Sequence, residues 1–323
     1  SYVLNDRRSG FKISPATATR ILQLCRDLDY RPDEAAVKLS ECRKRPVDLL
    51  VLTPWLYESR SDFTAQLNEV LRHWERTSRL RVSWLSYTSG NLSHSLKASV
   101  IKRHDVILVV GTARDDDNWL QRRAADLPNL VLMNRHIEGF LSAYGNDCEA
   151  VQALTEQIDL EHYRRAVFFM SNRRSYSEVQ RCAGFRAGMS AAGVPVHECS
   201  GYVYDQLWEH VMPILKESSV PLLVFVPAYA VAALLLKNAL ESGIRIPHDL
   251  GIMTYDCHSF LSRFITPSLT TVEPHLSTMA EEALQLAAGL RSGVAQHSKI
   301  VDAEVVLGGS TINRKTKQRT DKK

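Results

Sequence analysis

The sequence predicts an α/β fold built on two doubly wound parallel sheets, and three observations carry that expectation. Short apolar runs recur at 47–53, 80–86, 105–110, 129–133, 166–170, 221–226 and 250–254, rich in Val, Leu and Phe, as strands buried on both faces require. Helical stretches with one apolar face lie between them, so each strand–helix–strand unit implies a right-handed crossover and parallel neighbours. Seven or more such units exceed a typical open sheet, which favours two sheets over one.

From the N-terminus, Ser14-Pro15-Ala16-Thr17 opens a helix, with Ser14 at the N-cap and Pro15 at the first helical position. Ala18, Ile21, Cys25 and Leu28 follow at i, i+3, i+7 and i+10, one apolar face for a helix over 15–28. Tyr30-Arg31-Pro32 breaks it. A second short helical stretch, 33–40, carries Ala35, Ala36, Val37 and Leu39 and runs into Arg43-Lys44-Arg45-Pro46. Taken alone, it reads as an interdomain linker as readily as a functional helix. In the body, Phe63, Leu67, Val70, Leu71 and Trp74 share one face of a helix over 62–77. A helix over 230–242 ends at Gly243, with Pro247 shortly after. Met279, Ala283, Leu286, Ala287 and Leu290 mark another. Ligands of doubly wound sheets bind outside the carboxyl ends of strands, so function is sought in the loops at 54–60, 111–117, 134–136, 171–181, 227–229 and 255–258.

Composition narrows the class. The chain has 323 residues, 45% hydrophobic and 24% charged, which suffices for a proper core. No apolar run reaches the ~18 residues of a membrane-spanning helix, and the first residues lack the apolar segment of a secretory signal; a soluble cytoplasmic protein is expected. The six cysteines form no C-x-x-C pair and read as reduced, packed thiols. Dinucleotide, P-loop, zinc-protease and nucleophile-elbow motifs are missing from the strand ends. Asp115-Asp116-Asp117 reads as a solvated helix-start cluster, and the histidines show no repeated ligand spacing. No enzymatic activity, metal or cofactor is therefore expected. Net charge is +4, but residues 1–46 carry ten basic and six acidic side chains and 312–323 six basic and one acidic, leaving a mildly acidic body between basic ends. The last of these segments reads as a solvated basic tail.

Several blocks then match one family in order and spacing. Val3-Leu4-Asn5, Ile13-Ser14-x-x-Thr17, Leu28-Asp29-Tyr30-Arg31-Pro32 and Ala36-x-x-Leu39 resemble the headpiece of the lactose/galactose-repressor (LacI/GalR) family. Leu132-Met133-Asn134-Arg135, Arg181-x-x-Gly184-Phe185-Arg186, Ile244 to Ile252 followed by Tyr255-Asp256, and Leu269-Thr270-Thr271-Val272 resemble successive blocks of its core. The resemblance covers about residues 1–311. It implies a helix-turn-helix headpiece (1–30), a hinge helix and linker (31–46), and a periplasmic-binding-protein-like (type I) core over 47–311. In that core the chain crosses three times, pairing 47–145 with 273–297 and 146–272 with 298–311, ahead of the tail at 312–323. It further implies a homodimeric transcriptional regulator, most often a repressor, on pseudo-palindromic operator DNA, with a sugar-like or other small-molecule effector. By the same resemblance Tyr2, Asn5, Ser14, Thr17, Tyr30, Ala36 and Leu39 face DNA, Leu39 wedging a minor-groove base step or else packing as a linker side chain.

Against the family pattern the chain begins inside the recognition helix, so a fragment of a longer regulator is expected; a third of a helix-turn-helix cannot dock. Arg181 and Asp256 stand where the family holds ligand hydroxyls, and a guanidinium fork with an acceptor carboxylate suits a diol; a plain cleft salt bridge is the alternative. Ala228-Tyr229 replaces the family's Asn-Asp pair and Pro274 its Gln. This suggests an effector with fewer hydroxyls or a flat face, with Tyr229 or Trp55 either stacking on it or merely packing. Phe63 and Asn134, beside the same loops, complete the candidate effector set. The rival reading is a solute-binding protein of the same core fold, which has no use for residues 14–45.

Overall fold

The computed structural model describes residues 14–28, 46–55, 63–78, 80–171, 174–202, 206–218, 220–256, 261–292 and 295–314. The chain divides into two compact units, Ser1–Pro46 and Val47–Lys323. In the first, helix α1 (Pro15–Asp27) starts as its sequence dictates: the Ser14 hydroxyl accepts from the Thr17 amide at 3.2 Å, with Pro15 just inside. Tyr2, Asn5, Tyr30, Ala36 and Leu39, and with them the expected hinge helix, lie outside the described residues.

The second unit runs β1 (Val47–Thr53), α2 (Phe63–Thr77), β2 (Leu80–Ser86), α3 (Leu92–Ser95), α4 (Ala98–Arg103), β3 (Val106–Val110), α5 (Arg114–Arg123), β4 (Leu130–Met133) and β5 (Leu141–Gly145). Then follow α6 (Asp147–Gln157), β6 (Arg165–Ser171), α7 (Tyr176–Ala191), β7 (Val196–Tyr202), α8 (Leu207–Glu217), β8 (Leu222–Val226), α9 (Tyr229–Glu241) and β9 (Leu250–Tyr255). Last come β10 (Thr270–Glu273), α10 (Leu276–Ser292), β11 (Lys299–Val301) and β12 (Glu304–Val306). Two six-stranded sheets result, ordered β11-β5-β4-β3-β1-β2 and β12-β10-β9-β8-β6-β7. Their central strands are buried on both faces, as continuous runs such as Val106–Val110 and Leu222–Val226 require. Each sheet separates two apolar clusters. On one face of the first sheet, Phe63, Leu67 and Leu71 of α2 meet Met279, Ala283 and Leu286 of α10. On the second, Phe168, Phe185 and Phe225 share one cluster, the last two stacked with centroids 5.1 Å apart.

The chain passes between the sheets at Asn146, at 274–275 and at 302–303. Asn146 ties the first passage to the third: its amide nitrogen donates to Asp302 at 3.0 Å, and its oxygen accepts from the Ala303 amide at 2.9 Å.

Three expectations need correction. The third crossing falls later than 297/298, because Lys299–Val301 pairs in parallel with Ala143–Gly145 and so stays in the first sheet. The second sheet is not wholly parallel, since β12 runs antiparallel to β10 along its edge. Nor does a solvated tail begin at 312. The Ile312 carbonyl accepts from the Asp159 amide at 3.0 Å, its amide donates to the Tyr163 hydroxyl at 3.1 Å, and Asn313 bridges to Ile158. Strands β5 and β7 escaped the sequence reading because Ser142, Gly145, His197, Glu198 and Ser200 interrupt the apolar run an edge-proximal strand no longer needs.

Helices α6 and α7 pack so closely that a Cβ at Gly184 would collide with the Cys148 carbonyl. Since backbone cannot swing aside, Gly184→Ala is expected to lower unfolding stability by about 1–3 kcal/mol, measured by urea denaturation.

Candidate functional site

One cleft opens between the carboxyl edges of the two sheets, with about 1140 Å³ of space including its mouth. Trp55, Phe63, Asn134, Arg181, Tyr229 and Asp256, the six effector candidates of the sequence, all line it. They come from both lobes: Trp55 and Phe63 flank the β1–α2 connection, Asn134 follows β4, Arg181 lies on α7, Tyr229 opens α9 and Asp256 follows β9.

Arg181 is the most constrained. Its Nε donates to Asp147 at 3.3 Å, Nη1 donates to the Pro227 carbonyl at 3.1 Å, and its guanidinium lies 3.6 Å over the Tyr255 ring. The Tyr255 hydroxyl donates to the other Asp147 oxygen at 2.6 Å. Burial pushes the Asp147 carboxyl up, with Arg181 and the Tyr255 hydroxyl pulling against it. Burial, the largest single effect, lowers Arg181, and the charges of Asp147, Tyr255 and Asp256 with the Asp147 hydrogen bond together outweigh it. A guanidinium keeps its proton in proteins, and with both groups buried each depends on the other for the hydration it has lost.

A second pair, a buried arginine with a partly exposed acid, lies in the other lobe. Arg135, with its side chain 1% exposed, donates through Nη1 to Asp117 at 2.6 Å and through Nη2 to the Thr112 carbonyl at 3.4 Å. The Thr112 hydroxyl also donates to Asp117, whose carboxyl is pushed up by burial against the pull of Arg135. Arg135 Nε is buried with no partner among the described residues. The neighbouring Asp116 is not solvated as expected. It is buried and accepts from the amides of Gly90, Leu92 and Ala113 at 2.8–3.0 Å, tying a loop to the start of α5.

Between the pairs, Glu178 accepts from the Ser171 amide and hydroxyl. The Ser177 hydroxyl donates to the Asn134 carbonyl at 2.6 Å, and Asn134 takes a left-handed φ of 61° that turns the chain into the cleft. Asp256 does the same at φ 80°, its amide donating to Val272 and its carbonyl accepting from the Thr271 hydroxyl. Apolar lining comes from both lobes: Trp55 meets Phe63 edge to face at 5.3 Å in one, and Pro227, Ala228, Tyr229, Ala230 and Val231 line the cleft from the other. The sequence reading missed Arg135, Asp147, Ser177, Glu178 and Tyr255. Arg135 adjoins Asn134 in a noted block and was within reach; Asp147 sits at a lobe crossing whose neighbours no local pattern reveals. Ser14 and Thr17 fall elsewhere, in the first unit, their hydroxyls 2.8 Å apart at the exposed start of α1.

Gly111 holds Trp55 in place by having no side chain: its φ is 72°, and a Cβ there would lie 2.7 Å from the indole. Gly111→Ala is therefore expected to cost about 1–3 kcal/mol and to shift the tryptophan emission of the folded protein, both read in one urea titration.

The family described as periplasmic binding protein-like domain matches residues 155–311. An HTH-type transcriptional regulator of Lachnoclostridium phytofermentans is 26% identical over 287 residues, covering 83% of this chain and 82% of the relative. A LacI family transcriptional regulator from Mycobacterium smegmatis superposes with a TM-score of 0.70 at 19% identity, covering 82% of this chain and 99% of that one. The transcriptional regulator CelR in complex with cellobiose superposes at 0.67 with 19% identity, covering 96% and 94%. In its two lobes, its three crossings and its ordered sequence blocks, the chain is similar to LacI family transcriptional regulators over most of its length.

Proposed function

We propose that this chain is a ligand-responsive transcriptional repressor that binds pseudo-palindromic operator DNA as a homodimer, is controlled by a sugar-like small molecule in the interlobe cleft, and performs no chemistry of its own. The observation that carries the reading is the convergence of Trp55, Phe63, Asn134, Arg181, Tyr229 and Asp256, from both lobes, on one cleft. The kinship with regulators, one of them seen with cellobiose, supports it. A cytoplasmic setting follows from that role, and among the described residues no helix is long and apolar enough to cross a membrane.

An effector bridging the lobes favours the closed arrangement to the extent that it contacts both. Arg181 and Asp256 present a donor fork and an acceptor to adjacent hydroxyls, while Trp55, Phe63 and Tyr229 cover an apolar face of the ring. Closure moves the two lobes about the crossings at Asn146, 274–275 and 302–303. In the dimer this alters the spacing of the paired hinge segments, which is how ligand and operator affinities become linked. Leu39 of each hinge wedges a base step, and the bend is repaid by further contacts.

Thermal melts against a panel of mono- and disaccharides that includes ribose and cellobiose test the site. Arg181→Ala and Asp256→Ala should each abolish the ligand-induced rise in Tm, and a full rise retained in both would exclude these residues from the site. Leu39→Ala, in a chain carrying a complete helix-turn-helix, should weaken operator binding about tenfold or more while leaving the ligand-induced shift intact. Unchanged DNA affinity would exclude the wedge.

A further inference from the structure

We propose that Asp147 and Tyr255 are positioning residues for Arg181: they hold its guanidinium in one orientation, so that Nη2 is the nitrogen left to meet an acceptor oxygen of the effector. That an effector uses this nitrogen rests on the regulator reading; that the guanidinium is held does not.

An arginine side chain carries rotatable bonds along its whole stem and loses much freedom when it is ordered. A site that needs the guanidinium at one point must therefore hold it there before the ligand arrives. Arg181 is restrained on three sides. Its Nε donates to Asp147 at 3.3 Å and its Nη1 to the Pro227 carbonyl at 3.1 Å, which fixes the group within its own plane. The Tyr255 ring fixes the tilt of that plane, since the guanidinium carbon lies over it at 3.6 Å from the centroid. A cation over the negative face of an aromatic ring is a favourable contact as well as a steric one. The restraints are in turn restrained. Asp147 gives its other oxygen to the Tyr255 hydroxyl at 2.6 Å, so neither the acid nor the ring can turn without breaking a buried hydrogen bond. Tyr255 is fully buried and the Asp147 side chain is 3% exposed. Gly145 makes the room, because a Cβ there would lie 2.6 Å from Oδ1 of Asp147. The three residues come from the first turn of α6, from α7 and from the end of β9, so the arrangement exists only in the packed lobe. Arg181 itself keeps some exposure, 12% of its side chain, and lines the cleft. Nε and Nη1 are engaged, and Nη2 makes no hydrogen bond among the described residues. Asp256, also on the lining, acts on the guanidinium through its charge. Neutralising a buried cation requires an acid and nothing more. The ring beneath the guanidinium and the hydroxyl shared with the acid add orientation, which is what recognition of an acceptor at a fixed point requires.

The test uses the full chain with its arginines labelled for nitrogen NMR, the Nε–Hε signal of Arg181 being identified by its loss in Arg181→Lys. In the wild type this proton should lie upfield of the other arginine signals, displaced by the ring current of Tyr255, and should exchange slowly with water. Tyr255→Leu should abolish the displacement, and Tyr255→Phe, which keeps the ring, should retain it. Asp147→Asn should speed the exchange by about tenfold or more, because a neutral acceptor replaces a charged one. Calorimetry with ribose and cellobiose as probes gives the second readout. For a sugar that binds the wild type, Tyr255→Leu should lower affinity by about tenfold and Tyr255→Phe by no more than about threefold. A merely structural role for the ring would lower the melting temperature without this difference in affinity. Circular dichroism and a cooperative melt establish that each variant folds; where Tyr255→Leu does not, the wild-type shift and the exchange rate in Asp147→Asn decide. The proposal is overturned if the wild-type signal is not displaced, if a folded Tyr255→Leu keeps the displacement, if Asp147→Asn leaves the exchange unchanged, or if a bound sugar binds Tyr255→Leu as tightly as the wild type. If neither sugar binds the wild type, that result counts against the sugar-effector reading alone, and the NMR comparison decides whether the guanidinium is held.

Discussion

A guanidinium cannot shed its charge on burial, and this obliges the second lobe to organise itself around Arg181. Its partner Asp147 occupies the first turn of α6, immediately after the Asn146 crossing, and the shared hydroxyl belongs to Tyr255 at the end of β9. One ion pair therefore fixes the position of a crossing, a helix start and a strand end relative to the cleft. The pair supplies little net stability, since desolvation offsets most of its Coulomb gain, but removing one partner strands the other. Its consequence is positional: the same side chain that lines the cleft is tied to a residue just past a crossing between lobes.

The first lobe solves the equivalent problem with Arg135 and Asp117, and there the surrounding loops are held by Asp116, which accepts three backbone amides. The two lobes thus present rigid, hydrogen-bonded rims to each other, joined by three short connections of which two are clamped by Asn146. Rigid rims on a narrow joint are what a hinge requires, because ligand free energy then goes into lobe position and is not dissipated in local rearrangement. The close α6–α7 packing at Gly184 and Gly188 serves the same end, keeping Arg181 and Asp147 on two helices that cannot drift apart.

Much of this was legible in the residues. The continuous apolar runs at Val47–Thr53 and Leu222–Val226 identify strands buried on both faces, and the stripe of Phe63, Leu67, Val70 and Leu71 identifies a helix with a single buried side. Strand ends could then be located, and with them the segments beyond them that carry Trp55, Asn134 and Asp256, whereas Arg181 and Tyr229 stand on helices α7 and α9. Less legible were elements whose local pattern is weak because tertiary burial holds them. Helix α7 buries Ser177, Glu178 and Gly184 alongside Phe185, so no clean stripe marks it, and the three-residue strands β11 and β12 are too short to carry a period at all.

The sequence by itself determined the fold class and the strand ends that face the cleft, since these follow from local periodicity and from motifs a few residues long. Only the tertiary structure decided which charges meet. Asp147 lies 34 residues from Arg181, and Asp117 lies 18 from Arg135. No local rule pairs them, because ion pairing depends on distance in space and on the loss of water around both partners, and both are settled only when the lobes have packed.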